Sequence, residues 1–244
     1  MRALLALIVL LLAGCGDGAA LDRLAPAGRG RVVEVITADL VILDDGEAVK
    51  LAGLASLPRR APYGVEARAA LDTLVLGQEV ELLSGGAPRD PFGRRVAHLR
   101  LARNRQWVQG RLLEMGAGRV RTFSDNRALA AEMLEREATA RRDRRGLWAL
   151  PDHQVRLPAE VRLAHGFHIV EGRVGAVRRI GRGFELEVGG LTAEIPARAA
   201  PDFEAAEKSP PTLAGRLVRV RGSVRQGPSM RLDHPEAVEV LEEP

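Results

Sequence analysis

Beyond an apolar N-terminal run, hydrophobic positions alternate in short stretches separated by polar or glycine-bearing turns. Residues 30–36 carry Val32, Val33, Val35 and Ile36 and predict a strand. Thr37-Ala38-Asp39 is a polar turn, 40–43 a second strand, Asp44-Asp45-Gly46 a hairpin turn and 48–54 a third strand. Pro58 and Pro62 interrupt regular structure. Over 63–76 the period lengthens, with Val65, Ala69, Leu71 (less well phased), Leu74 and Val75 on or near one helical face and Gly77 closing it. Residues 79–83 and 94–101 predict two more strands. Residues 107–115, stopped by Gly116, and 127–145, with Leu129, Met133, Leu134 and Ala138 inward, predict two helices. Trp148 is placed to seal the last helix against the core.

A proline-containing connector follows at 150–164, and the pattern then begins again. Strands are predicted over 167–176, 183–188, 191–196, 216–224 and 237–241, with a loop or short helix at 199–211. The strand at 216–224 alternates strongly, setting Leu217, Val218, Val220 and Val224 against Arg216, Arg219, Arg221 and then Arg225. That arginine row reads either as a basic stripe for a nucleic acid backbone or as a solvated strand face. The first half runs three strands, helix, two strands, two helices, an order that suits a closed barrel of the OB type. The predicted class is mainly β with α: an OB-fold barrel with packed helices over 30–150, a linker over 151–165, and a second small OB-like β-barrel over 166–244.

The N-terminus adds a destination. Arg2 precedes an uncharged run over 3–13, too short for a helix to span a bilayer and suited to the h-region of a secretory signal. It ends in Leu12-Ala13-Gly14-Cys15, which resembles a bacterial lipoprotein signal, with Cys15 as the lipidation site. The other reading is an ordinary cleaved signal. Cys15 is the chain's one cysteine, so no internal disulfide can form. The expectation is an exported protein, anchored at Cys15 to an envelope membrane facing the periplasm or the outside, with 1–15 as signal and 16–29 as a Gly/Ala-rich tether. The pI near 10.1 fits a polyanionic partner such as nucleic acid. A net charge of only +4, carried almost wholly by arginine, with Lys50 and Lys208 as the only lysines, fits a compositional bias as well.

The segments VITADLVIL, VKLAGLASLP, YGVEA, LVLGQEVEL, RDPFGRRVAHL, VQGRLLEMGAGRV and the helix ending RRGLW together resemble the thermonuclease (staphylococcal nuclease-like) family over residues 31–150. IVEGRV, LAGRLVRVRGSV and GPSMRLDHPEAVEVL resemble the OB-like domain that follows some bacterial members. The first resemblance implies calcium-assisted phosphodiester hydrolysis: carboxylates hold the ion, a glutamate takes a proton from water, and two arginines stabilise charge on the phosphate.

Carried over position by position, the resemblance implies a thinned set. Asp39 matches the first calcium carboxylate, and Ser56 a position that supplies a main-chain carbonyl. Lys50 replaces the first arginine, keeping its charge without the planar fork, and Arg94 matches the second. Ala55 replaces the second calcium aspartate, and Pro58 the general-base glutamate. Phe92 matches an aromatic that can stack on a base or sugar, and Arg95 beside it is a further nucleic-acid contact. Losing a general base costs on the order of 10² to 10⁴ in rate. The reading is therefore a nuclease-family envelope protein with little or no hydrolysis and retained nucleic acid binding. Two alternatives stay open, a weak endonuclease using Asp39, Lys50 and Arg94, and a protein-binding envelope scaffold. The five histidines show no metal-ligand spacing, and no nucleophile elbow or phosphate loop is present.

Overall fold

A computed structural model describes residues 17–241. Cys15 and the apolar run before it lie outside the described residues. The expected tether is structured instead. Helix α1 (Asp17–Leu21) leads into strand β1 (Ala25–Thr37), Leu21 is fully buried and Leu24 nearly so. Gly/Ala content suggests slack chain, but two leucines with core sites to fill draw the segment into the fold.

The first barrel closes in the order β1, β2 (Leu40–Leu43), β3 (Ala48–Leu51), β6 (Arg95–Leu101), β5 (Glu79–Ser84) and back to β1. β1 pairs with β5 through its first half and with β2 through its second, so one long strand turns the corner. Its irregularity between Pro26 and Gly28 explains why strand pairing begins earlier than alternation predicts: a bulge accommodates both residues. The third strand stops at Leu51. Gly53 (φ +70°) then turns the chain into β4 (Leu54–Ala55), which pairs with β7 (Arg119–Val120). Helices α2 (Gly64–Val75), α3 (Val108–Glu114) and α4 (Ala130–Arg142) pack on this barrel. Gly116 and Gly146 let the ends of α3 and α4 meet backbone to backbone; a Cβ on Gly116 would lie 2.1 Å from the Arg145 carbonyl oxygen.

The second barrel comprises β8 (Gly166–Ile180), β9 (Gly183–Val188), β10 (Leu191–Ile195), β11 (Leu217–Arg225) and β12 (Ser229–Arg231). It closes through β12, which pairs parallel to β10 and antiparallel to β11. Strand β13 (Val238–Val240) adds to the edge of β11, and the 199–211 segment contains a short helix, α5 (Ala200–Ala205). β12 escapes sequence reading because three residues with one buried side chain, Met230, carry no usable period.

The two barrels share a junction. Leu57, Ala140, Leu147 and Trp148 of the first pack with Ile169 of the second, so Trp148 seals an interdomain cluster. Arg221 of β11 is 4% exposed and reaches across: its guanidinium lies 3.0 Å from Glu137 Oε1 on α4 and 2.7 Å from Glu239 Oε1 on β13. Burial lowers the Arg221 pKa, but the two carboxylates outweigh it and hold it above its ordinary value. Arg219 pairs with Glu171 and Glu239. The arginine row is thus neither a nucleic-acid stripe nor a solvated face at Arg219 and Arg221. Arg225, at the end of β11, is exposed. His234 donates from Nε2 to the Thr122 carbonyl oxygen at 3.1 Å across the junction, and Arg127 pairs with Glu236 and Asp202.

Candidate nucleic-acid interface

The turn between β1 and β2, the β3–β4 turn, and the loops before β6 and after β7 converge on one cleft of about 520 Å³. Five of the six predicted site residues within the described chain line it: Asp39, Lys50, Ser56, Phe92 and Arg94. Arg95 does not. Its Nε lies 2.8 Å from Glu47 Oε2 and another of its nitrogens donates to the Ala27 carbonyl, because alternation along β6 puts neighbours on opposite faces.

Asp39 is 6% exposed and fully engaged. It accepts from Thr37 Oγ1 at 2.7 Å and from the Ser56 N–H at 2.8 Å, and it forms an ion pair with the Lys50 ammonium. Register places the pair, since Lys50 lies across from Leu40, next in chain to Asp39. Burial pushes the Asp39 pKa up, but Lys50 and then the two hydrogen bonds outweigh it and hold the carboxyl below its usual range. Ala55 and Ser56 line the cleft without adding a carboxylate, and Pro58 is not part of its lining. The Pro58 carbonyl instead accepts from the Ala61 N–H at 2.8 Å in the turn leading to α2.

Calcium takes six to eight oxygen ligands, as a rule including several carboxylates. Here both Asp39 oxygens are used by protein donors, and the Lys50 ammonium already supplies its cation. Among the described residues no three His, Cys, Asp or Glu side chains group around a common point. The residues present do not fit a calcium ion.

Arg94 is held by its own loop. Its Nε and Nη2 donate to Asp90 Oδ2 at 2.7 and 2.6 Å, while the N–H groups of Phe92 and Arg94 donate to Asp90 Oδ1. Burial raises the Asp90 pKa and these contacts, led by Arg94, bring it below the usual range. The loop projects Phe92, 82% exposed, with the Arg94 guanidinium 5.1 Å from its ring centroid.

The sequence reading missed the far wall: Arg121, Phe123, Asp125 and Asn126, from the loop after β7. Phe123 is 54% exposed, and the Arg121 guanidinium lies 5.5 Å from its ring. The signal was present: R-T-F-S-D-N repeats the features of D-P-F-G-R, an aromatic in a polar turn beside an arginine. An arrangement of exposed rings with cations alongside suits stacking on bases and contact with phosphates.

Residues 43–150 match the family model described as staphylococcal nuclease homologue. The first barrel is a thermonuclease-like domain. The match begins within β2 and ends at Leu150, just past Trp148, and it leaves out the second, OB-like barrel. No curated protein matches the chain. The match therefore falls on the first barrel and includes the cleft residues from Lys50 onward, while Asp39 precedes it.

Proposed function

We propose that this protein binds nucleic acid through the thermonuclease-like cleft and hydrolyses it little or not at all. The observation that carries the reading is the Lys50–Asp39 ion pair, formed by residues that the sequence resemblance aligns with the family's metal ligand and first arginine, in a cleft whose exposed rings are Phe92 and Phe123. The absence of a carboxylate at Ala55 and Pro58 supports it, because neither a second metal ligand nor a general base is supplied there. What remains favours stacking and phosphate contact over water activation. We further propose that the chain is exported and held on a bacterial envelope membrane through Cys15, a reading that rests on the Leu12-Ala13-Gly14-Cys15 sequence.

The test is to incubate the purified chain with single-stranded and duplex DNA and calcium, beside an Arg94→Ala variant, and to measure both cleavage and binding. Salt-dependent binding with negligible cleavage is expected. Robust calcium-dependent cleavage abolished by Arg94→Ala would replace this reading with the weak endonuclease. Absent or salt-independent binding would remove nucleic acid as the ligand and leave the envelope scaffold.

A further inference from the structure

The thermonuclease-like cleft is not isolated. A second depression, of about 220 Å³, lies at the junction of the two barrels, and Arg121 and Phe123 line both. Its other side is built by the second barrel, with Phe167 and the β11 residues Ser223 and Arg225. The Arg121 guanidinium sits 5.5 Å from the Phe123 ring and 5.9 Å from the Phe167 ring, so one cation is flanked by an aromatic from each barrel.

The pairing of charges in the two depressions sets where a polyanion is attracted. Within the first cleft Lys50 is paired with Asp39, Arg94 with Asp90 and Arg89 with Glu47. In the junction depression Arg231 is paired with Asp233, and Arg221 with Glu137 and Glu239. Arg121 and Arg225 are exposed and form no ion pair among the described residues. Asp125 is the opposing carboxylate, exposed on the first-cleft side. Of the arginines lining the two depressions, the unpaired ones are therefore Arg121, shared by both, and Arg225 on the second-barrel side.

From this we infer that the OB-like barrel extends the binding surface: a single strand of nucleic acid that enters the first cleft at Phe92 continues past Phe123 and Arg121 onto Phe167 and Arg225. The exposed rings of Phe92 and Phe123 can stack on bases without regard to sequence, half-buried Phe167 offers only its outer edge beside Arg121, and unpaired arginines contact phosphates, which are the requirements of single-strand binding. A duplex cannot offer its bases to the rings without unpairing. The inference rests on the proposed nucleic acid binding and adds a second contact site to it.

The experiment compares a short labelled oligothymidylate of about 4 nucleotides, enough for one site, with one of about 12 that can reach both barrels. Affinity of the full chain, purified in detergent, is measured by fluorescence anisotropy over a range of salt. The longer strand is expected to bind at least about tenfold tighter, with a steeper salt dependence. Arg225→Ala, a surface change, should reduce the salt slope for the long strand by about 0.7 and leave the short strand unaffected. Phe92→Ala should weaken both lengths by about fivefold or more. If the long strand gains nothing over the short one, or Arg225→Ala leaves its affinity and slope unchanged while Phe92→Ala still weakens binding, the extension is wrong and the first-cleft reading stands. If neither length binds the unmodified protein, both readings fall together.

Discussion

Replacing Arg221 with methionine tests how the two barrels are joined. The guanidinium is 4% exposed and donates to Glu137, which is 0% exposed, and to Glu239. Removing it leaves the Glu137 carboxylate inside the junction with the Val120 N–H and Arg141 Nη1, 3.2 Å away, as its remaining donors. Breaking a buried ion pair from one side costs about 3–5 kcal/mol, and the retained Arg141 contact places this case near about 3. That is a large share of an ordinary domain stability of about 5–15 kcal/mol. Adding Glu137→Gln removes the stranded charge and keeps an acceptor for the Val120 N–H, so the double variant should recover at least about 1 kcal/mol. Urea unfolding gives both values, followed by circular dichroism and by fluorescence of Trp107 in the first core and Trp148 in the junction. A loss below about 1 kcal/mol for Arg221→Met, or a double variant no more stable than the sum of the singles, would refute the claim that this ion cluster ties the barrels.

Other expectations follow the same physics. His98 is 2% exposed against Trp107, and burial lowers its pKa from 6.5 to about 4. Between those values the unfolded chain binds a proton that the folded chain refuses. Stability should therefore fall as pH drops from about 6.5 to 4, by up to about 3 kcal/mol from this residue. His98→Gln should flatten that slope in urea titrations across the window, with His153 and His168, lowered in the same direction, leaving a remainder. Lys50→Met should destabilise by about 1–3 kcal/mol at pH 7, because Asp39 is left charged and buried, and the loss should shrink as acid protonates Asp39. Gly53→Ala should cost at least about 1 kcal/mol in thermal unfolding, since φ is +70° and the new Cβ would lie 2.6 Å from Met133 Sδ. Ala55→Asp with Pro58→Glu should bring no gain in calcium-dependent cleavage while Lys50 holds Asp39, and a gain in that folded double variant would show the ion pair is no obstacle.

Alternation, turn residues and motif order were enough to read the first barrel with α2, α3 and α4, four strands of the second barrel, and the loop that presents Phe92, because each rests on contacts within a few residues or on a repeated period, whereas the three-residue β12 that closes the second barrel and helix α1 were not read. The same local logic could not place what depends on distant partners. Leu21 and Leu24 look like part of a slack tether until the barrel offers them a core site. Arg219 and Arg221 look like a basic face until α4 and β13 bring carboxylates against them. Arg95 looks like a neighbour of Phe92 in sequence, yet strand pleating sends it to Glu47. Asp39 and Lys50 were each visible as candidates, but only the β2–β3 register made them neutralise one another. By itself, then, the sequence determined which residues could do chemistry and what kind of barrel carries them. Which charges stay available was decided by tertiary structure, because pairing depends on positions far apart along the chain.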